Sequence, residues 1–456
     1  MAEQQHGWRA ECRALLSIAG PMVVAQLAQV GTGVVDTVMA GHYSTSDLAA
    51  VAIGYNLWLP VYLVFIGVML GTTTIIAQDF GARRLQAIRD SLPQALWLAL
   101  ALGLAVLPMY FLVDPVLSLL GIAEDTQARA SGYVQAVVFG LPAAAIFQAL
   151  RCHTQGIGIM RPFAWASVVG FIANIPLNYA FIYGQWGAPE LGAVGCGVAT
   201  AISMWLSPLL ICFYMTRANS LKPYLPPLRL VRPNPQVLRN IWTLGFPMGL
   251  SFFLEVAVFS VIALLIARLG DTAMASHQIA VNVWDVVYMF MISTGSALGT
   301  RVGHAIGSGD RARVRLAFRC GGAVTGLVGL GCMLGLLAAP GLIISLYTED
   351  PTIHGMAFAL VQLASLFILI DASQIVATFT LRAFKDTMFP FLVLCSAYWF
   401  ITLPLGYWLS LQAGGDAQAG TVGFWKAMII GVMLSAVILM LRVIRTLRRP
   451  LPELAE

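Results

Sequence analysis

Apolar runs of membrane-crossing length, separated by short polar or basic breaks, recur along the entire chain. A helix needs about 20 apolar residues to cross the hydrocarbon layer of a bilayer. Segments of that length fall near 15–40, 47–77, 92–113, 130–150, 162–184 and 192–216, and again near 241–267, 273–300, 316–346, 354–381, 388–411 and 420–443. The pattern predicts an all-α polytopic membrane protein of twelve transmembrane helices. Its first run, preceded by Arg9 and Arg13, is too long for a cleaved signal peptide and carries an acid, so it reads as a retained span. Within it Gln26, Gln29, Gly33 and Asp36 step by three, four and three, which places them on one helix face. Leu15, Ile18, Met22, Leu27, Val30 and Val34 cover the other faces.

The pattern also repeats. An offset of 226 lays Pro21-Met22 on Pro247-Met248, Asn56 on Asn282, Trp58 on Trp284, Tyr62 on Tyr288 and Thr74 on Thr300. An offset of 228 lays Pro162-Phe163 on Pro390-Phe391, Pro176-Leu177 on Pro404-Leu405 and Gly195 on Gly423. With six spans in each half, both halves enter the membrane from the same side. This predicts two homologous six-helix lobes, a parallel repeat around a central cavity with binding near the midplane. The expected domains are an N-terminal lobe over 1–220, a cytoplasmic inter-lobe linker over 221–240 and a C-terminal lobe over 241–456. The linker carries Pro223, Pro226, Pro227, Arg229, Arg232, Pro233 and Pro235. Pro21 and Pro247, in the first span of each half, are expected helix-bend points.

Composition supports the membrane reading: 59% of residues are hydrophobic and 10% charged, against about 25% charged in soluble domains. Loop charge sets the orientation. Arg83, Arg84, Arg89, Arg151, Arg161 and Arg239, then Arg301, Arg311, Arg313, Arg382, Arg445 and Arg448, are assigned to the side that also holds both termini. The opposite side carries chiefly acids such as Asp47, Asp114, Glu190 and Asp416. By the positive-inside rule both termini are cytoplasmic. The net charge of +5 is scattered through loops, so no nucleic-acid partner is expected.

Four acids lie well inside apolar runs: Asp36, Glu255, Asp285 and Asp371. A carboxylate at mid-membrane costs about 2.5–3.5 kcal/mol, which makes each a functional-site candidate by default. No basic residue is expected at comparable depth, and an unpaired buried carboxylate takes a proton or holds a cation. Under the two offsets Asp36 falls on Ile262, Glu255 on Gln29 and Asp371 on Ala143, so the acids are not symmetry mates. One coupling site is expected in the first lobe, at Asp36, and a second, formed by Glu255 and Asp371, in the other. Asn174 and Asn178 share a helix face with Pro176 between them, and two readings stand equally: they complete the Asp36 site, or they serve interhelical hydrogen bonding alone. Asp285 and Gln29 are further supporting polar positions. Na⁺ is possible at Asp36, Glu255 or Asp371, and the residues alone leave Na⁺ and H⁺ both open.

Other chemistries find little support. Seven cysteines form no CxxC pair, which argues against disulfide, zinc and redox roles. Neither HExxH nor a Walker-type loop occurs. Gly307-Ser308-Gly309-Asp310 matches a protease-like GxGD, but Arg311, Arg313 and Arg315 follow it in an expected cytoplasmic loop, where a glycine-rich turn suffices. His153, His277 and His304 are isolated near span ends. An intramembrane enzyme needs a nucleophile with its base or a metal cluster, so none is expected, and no cofactor either.

Several motifs together resemble the multidrug and toxic compound extrusion (MATE) transporters, in particular their bacterial NorM-like branch. They are Val35-Asp36-Thr37-Val38-Met39-Ala40-Gly41 with Leu48-Ala49-Ala50, and Ala149-Leu150-Arg151 through Gly156-Ile157-Gly158 to Arg161-Pro162. To these are added Asn174-Ile175-Pro176-Leu177-Asn178-Tyr179, the run from Gly192 to Ala201, and Leu381-Arg382-Ala383-Phe384-Lys385-Asp386-Thr387. The resemblance implies an antiporter in a bacterial inner membrane, functional as a monomer. It would export amphiphilic, often cationic drugs and dyes in exchange for inward Na⁺ or H⁺. It also implies ion coupling at Asp36, Glu255 and Asp371. Met160, Ala383 and Phe367 depart from the family pattern, and Phe367 brings no hydroxyl to the second-lobe site. Two rivals stand beside this reading. A major-facilitator drug/proton antiporter would share the six-plus-six layout, and a lipid-linked oligosaccharide flippase would be expected to present basic residues to an anionic headgroup.

Overall fold

The computed structural model describes residues 7–119, 121–226 and 231–451. Pro227 and Arg229 of the expected linker lie outside the described residues. Among the described residues the chain is helical and contains no strand. Its first half holds α1 (Trp8–Tyr43), α2 (Thr45–Gly81), α3 (Leu85–Val106), α4 (Met109–Leu119), α5 (Glu124–Val138), α6 (Leu141–Ile157), α7 (Arg161–Tyr183) and α8 (Ala193–Arg217). After the short 3₁₀ turn Lys222–Tyr224 come α9 (Pro235–Ala267), α10 (Asp271–Gly307), α11 (Arg311–Ala338), α12 (Pro340–Ser345) and α13 (Pro351–Ala383). The last hairpin is α14 (Met388–Cys395), a π-helical stretch Ser396–Thr402, α15 (Leu403–Gln412) and α16 (Ala417–Arg448).

Ten of these stretches are long and apolar enough to cross a membrane, counting Met388–Gln412 as one. The pairs α3–α4 and α5–α6 are each bent by 44° at a short break, and each taken as one span brings the number to twelve. The bends have local causes. Pro108 lies in the first break, and Gly140 followed by Pro142 marks the second. Proline withholds a backbone donor and crowds the preceding turn. Asp310, Asp350 and Asp416 cap the starts of α11, α13 and α16, accepting the N–H groups that a helix start leaves unpaired. At Asp350 the Thr352 hydroxyl and backbone N–H both donate to the carboxylate and hold it below the usual carboxylate range.

The chain divides into two compact units, one of Gly20–Gly249 and one of Met1–Ala19 with Leu250–Glu456. These bounds differ from the lobes expected at 1–220 and 241–456. Packing explains the difference. In the first unit the opening half of α9 lies against α2. A Cβ on Gly67 would stand 2.1 Å from the Gly249 Cα, and one on Gly245 would stand 2.0 Å from the Val68 carbonyl oxygen. Only glycine permits backbones to approach this closely, a common device between membrane helices. In the second unit the opening turns of α1 are anchored by Glu11, which accepts two bonds from Arg301 of α10 at 2.7 and 2.6 Å. Cys12 beside it is disulfide-bonded to Cys320 of α11, with 5.9 Å between Cα atoms. That pairing corrects the expectation of no disulfide: the partners are 308 residues apart and leave no spacing signature. Pro21 and Pro247 lie inside continuous helices α1 and α9, close to the point where each helix passes from one unit to the other.

Two further contacts stiffen the first unit. The segment after α8 is tied to α3, with Arg89 donating to the Pro223 carbonyl at 2.7 Å and Trp97 to that of Val231 at 2.8 Å. Gln94 donates to the Arg232 carbonyl at 3.0 Å and accepts from the Asn234 N–H at 2.7 Å. At the start of α2, buried Asp47 accepts from Arg129 of α5 at 2.8 Å and from the Ala193 N–H at the start of α8 at 2.7 Å. The Ser44 hydroxyl donates to the same carboxylate.

Candidate functional site

Asp36 lies about two turns before the end of α1 and is 6% exposed. Three helices of its own unit meet there. Asn178 of α7 donates to Asp36 Oδ1 at 2.6 Å, and Thr200 of α8 donates to Oδ2 at 2.9 Å. Asn178 Nδ2 also donates to Asn174 Oδ1 at 2.8 Å, and the Cys196 thiol faces the carboxylate from α8. The local sequence explains the convergence. Asn174 with Asn178, and Cys196 with Thr200, are four apart and so share a helix face. Gly195 lets α8 reach α7, since a Cβ there would meet the Phe181 carbonyl oxygen at 2.1 Å. Tyr183 then pins α7 to α1 through a 2.9 Å bond to the Met39 carbonyl.

Among the described residues Asp36 forms no ion pair. Asn178 Oδ1 is buried without a hydrogen-bond partner beside it. Buried acceptors are normally satisfied, so an orphan of this kind calls for a bound species. One carboxylate and several neutral oxygens form the donor set that a hard monovalent cation takes, and the carboxylate alone can hold a proton. The residues present therefore fit either ion. Gln29, half-buried about two turns away on α1, makes no hydrogen bond to this cluster among the described residues.

The other unit holds a different arrangement. Asp371 of α13 is 2% exposed, with one carboxylate oxygen unpartnered. Glu255 of α9 lies within electrostatic reach of it. Glu255 is half-buried and borders a small cavity with Ser251, Leu394, Tyr398 and Trp399. Trp284 faces Asp371 and is walled in by Phe259 at 5.1 Å, Tyr288 at 5.0 Å and Phe367 at 5.8 Å between ring centroids. Gln374, one turn after Asp371, donates to the Tyr398 hydroxyl at 3.2 Å and accepts from Ser435. Asp285 is exposed on α10 yet within reach of Glu255, and Gln278 donates to Asn282 beside it at 3.1 Å.

Two expectations need correction. Arg151 and Arg382, expected in loops, lie in helices, and the expectation that the acids have no base near them fails at Glu255. Both arginines are buried within helices, α6 and α13, at 5% and 7% exposure. Arg382 lies within electrostatic reach of Glu255. Aromatic cover makes such burial tolerable: Arg151 lies 4.6 Å from the Phe163 ring, and Arg382 lies 5.3 and 4.9 Å from those of Phe252 and Phe379. Thr200 and Cys196 are not among the positions the sequence singles out, although their four-residue spacing opposite Asn174 and Asn178 is a usable signal. Trp284, Tyr288 and Tyr398 carried no comparable signal, because aromatic residues are common in membrane helices.

The MatE family model matches the chain twice, over residues 21–180 and 247–408. The two matches start 226 residues apart, the offset of the internal repeat. The chain belongs to the MATE family. Among curated relatives, it is 38% identical to Multidrug resistance protein NorM of Vibrio cholerae serotype O1, covering 95% of each chain. It is 36% identical to Multidrug resistance protein PmpM of Pseudomonas aeruginosa, covering 97% of this chain and 93% of that one. Multidrug resistance protein MdtK of Pectobacterium atrosepticum is 37% identical over 96% of both. Among solved structures, the eukaryotic MATE transporter AtDTX14 superimposes with a TM-score of 0.85 over 97% of this chain and 99% of its own, at 20% identity. An outward-facing multidrug resistance MATE family transporter of the MOP superfamily gives 0.86 at 18% identity over 96% of each. At such identities the structural likeness carries the fold, and it is the two-lobe MATE fold.

Proposed function

We propose that this MATE protein is a multidrug efflux antiporter, expelling amphiphilic and cationic compounds from the cytoplasm in exchange for an inward cation, Na⁺ or H⁺. The observation that carries the reading is the Asp36 cluster, a buried carboxylate with no ion pair among the described residues, ringed by Asn174, Asn178 and Thr200 and next to an orphaned acceptor. The NorM, PmpM and MdtK relatives, each named a multidrug resistance protein, supply the cargo class. The basic loops support an orientation with both termini cytoplasmic, and the bacterial NorM and MdtK relatives support a site in a bacterial inner membrane; in this reading the protein works as a multi-pass monomer of two homologous lobes joined by the segment 221–240.

In this mechanism cation entry neutralises Asp36 in one unit and the Glu255–Asp371 pair in the other, and drug and cation use the same negative charge in alternation. A membrane potential contributes about 2.3 kcal/mol per inward charge per 100 mV, a bias of roughly 50-fold for one cation. Asp285 contributes a water-facing carboxylate for positively charged cargo, since a charged group at this depth is strongly disfavoured against hydrocarbon. Proteoliposomes given an outside-high Na⁺ gradient and an outside-acid pH gradient in turn test the proposal. One of the two should drive dye extrusion; extrusion by neither, with ATP- or lipid-dependent transport in their place, would reject it. The arginines Arg151 and Arg382 do not restore the flippase reading, because both are buried, at 5% and 7% exposure, and rest on aromatic rings.

A further inference from the structure

Arg382 is a buried cation beside one candidate coupling site, and its pairing is incomplete. Its guanidinium lies between Phe252 and Phe379 at 5.3 and 4.9 Å, with Nη1 lacking any hydrogen-bond partner. Phe252 stands three residues before Glu255 on α9, so ring and carboxylate share a helix face. Glu255 and Tyr288 are the groups within electrostatic reach of the guanidinium. The other half also holds a buried arginine on a ring, Arg151, although neither repeat offset lays it on Arg382; among the described residues no carboxylate lies within its electrostatic reach, and it donates to Gln148 at 3.1 Å, which in turn donates to Tyr62. A ring-covered arginine thus occurs in each half, and among the described residues the one in the second half has an acid within reach.

We infer that Arg382 is a built-in competitor for the coupling cation, moving from its aromatic clamp to pair with Glu255 when no cation is bound and returning to the clamp when one arrives. A long, flexible side chain held by ring faces rather than by directed bonds can make that move. Pairing neutralises Glu255 while no cation is bound, so the lobe need not carry two uncompensated carboxylates in lipid, and the charge of Asp371 is left for cationic cargo. The affinity for the cation then falls by the fraction of ion-free protein in which Glu255 is unpaired. Arg382 is a positioning residue in this scheme, since it acts on the ion through Glu255 and touches no cargo.

The inference rests on the reading of Glu255 as a coupling carboxylate. Its test is the cation concentration giving half-maximal dye efflux in proteoliposomes, using whichever gradient drives the wild type. Arg382→Gln should lower that concentration at least threefold, Arg382→Lys should leave it near the wild-type value, and Arg151→Gln should not change it. Phe379→Leu, which weakens the clamp and favours pairing, should raise it. Two opposite shifts are not what a merely structural residue produces. If Arg382→Gln does not fold, the Phe379→Leu shift still decides the matter. An unchanged or raised value in Arg382→Gln, or an unchanged value in Phe379→Leu, overturns the inference. Glu255→Gln separates the two levels: full cation-driven efflux in that variant refutes the coupling reading itself, whereas lost efflux there with no Arg382→Gln shift refutes only the competitor.

Discussion

At the scale of single residues, the most informative fact is what surrounds Asp36. Two side-chain donors, Asn178 and Thr200, hold its oxygens at 2.6 and 2.9 Å. A hydrogen bond to a charged group contributes about 1.5–3 kcal/mol, which corresponds to roughly 10- to 100-fold in an equilibrium. Replacing Thr200 with Val therefore gives a signed result. Where Na⁺ is the ion, the variant loses a ligand and needs more than tenfold higher Na⁺ for half-maximal efflux. Where a proton is the ion, the carboxylate loses a bond that favoured its charged form, and less acid suffices. Titrating each ion against efflux in Thr200→Val thus identifies the coupling cation, which the residue types alone left open. The sequence showed that Asp36, Asn174 and Asn178 were unusual because polar side chains are rare in apolar runs. It could not show that Thr200 and Cys196 close the ring, since small polar residues are ordinary in membrane helices. Arg382 was misplaced for a related reason: an arginine near a span end looks like a loop charge until the rings that bury it are seen.

Among the helices, crossings depend on glycine and on one buried acid. The α2–α9 contact has no room for a side chain at Gly67, where a Cβ would lie 2.1 Å from the Gly249 Cα. Gly67→Val should force the helices apart, at a cost of about 1–3 kcal/mol or more. The expected outcome is a clear fall in the thermal midpoint of detergent-solubilised protein, together with lost efflux. Asp47 staples the starts of α2 and α8 to α5. Asp47→Ala strands the Ala193 N–H and should destabilise by about 1–3 kcal/mol, with cation affinity at Asp36 little changed when assayed well below the midpoint. The spans themselves were legible from apolar length alone. The bends at Pro108 and Gly140, which split two of them, were not, because twenty apolar residues read alike whether a helix is straight or broken.

For the whole molecule, the repeat and the chemistry part company. Two homologous halves share prolines, glycines and tyrosines, yet each has built its acids on different helices: α1 in one unit, α9 and α13 in the other. The repeat was visible in the sequence and the family model matches at the same offset, while the compact units cut across it inside α1 and α9. That exchange of helix segments follows from glycine contacts, an ion pair and a disulfide, none of which has a periodic signature. In the mechanism proposed above, carboxylates in both units couple cation entry to drug exit. Its most direct test is dye efflux from proteoliposomes under the driving cation gradient, comparing wild type with Asp36→Asn, Glu255→Gln and Asp371→Asn at matched reconstitution levels. Each neutral variant should reconstitute normally and lose at least tenfold in cation-driven efflux. Wild-type rates in all three would contradict it.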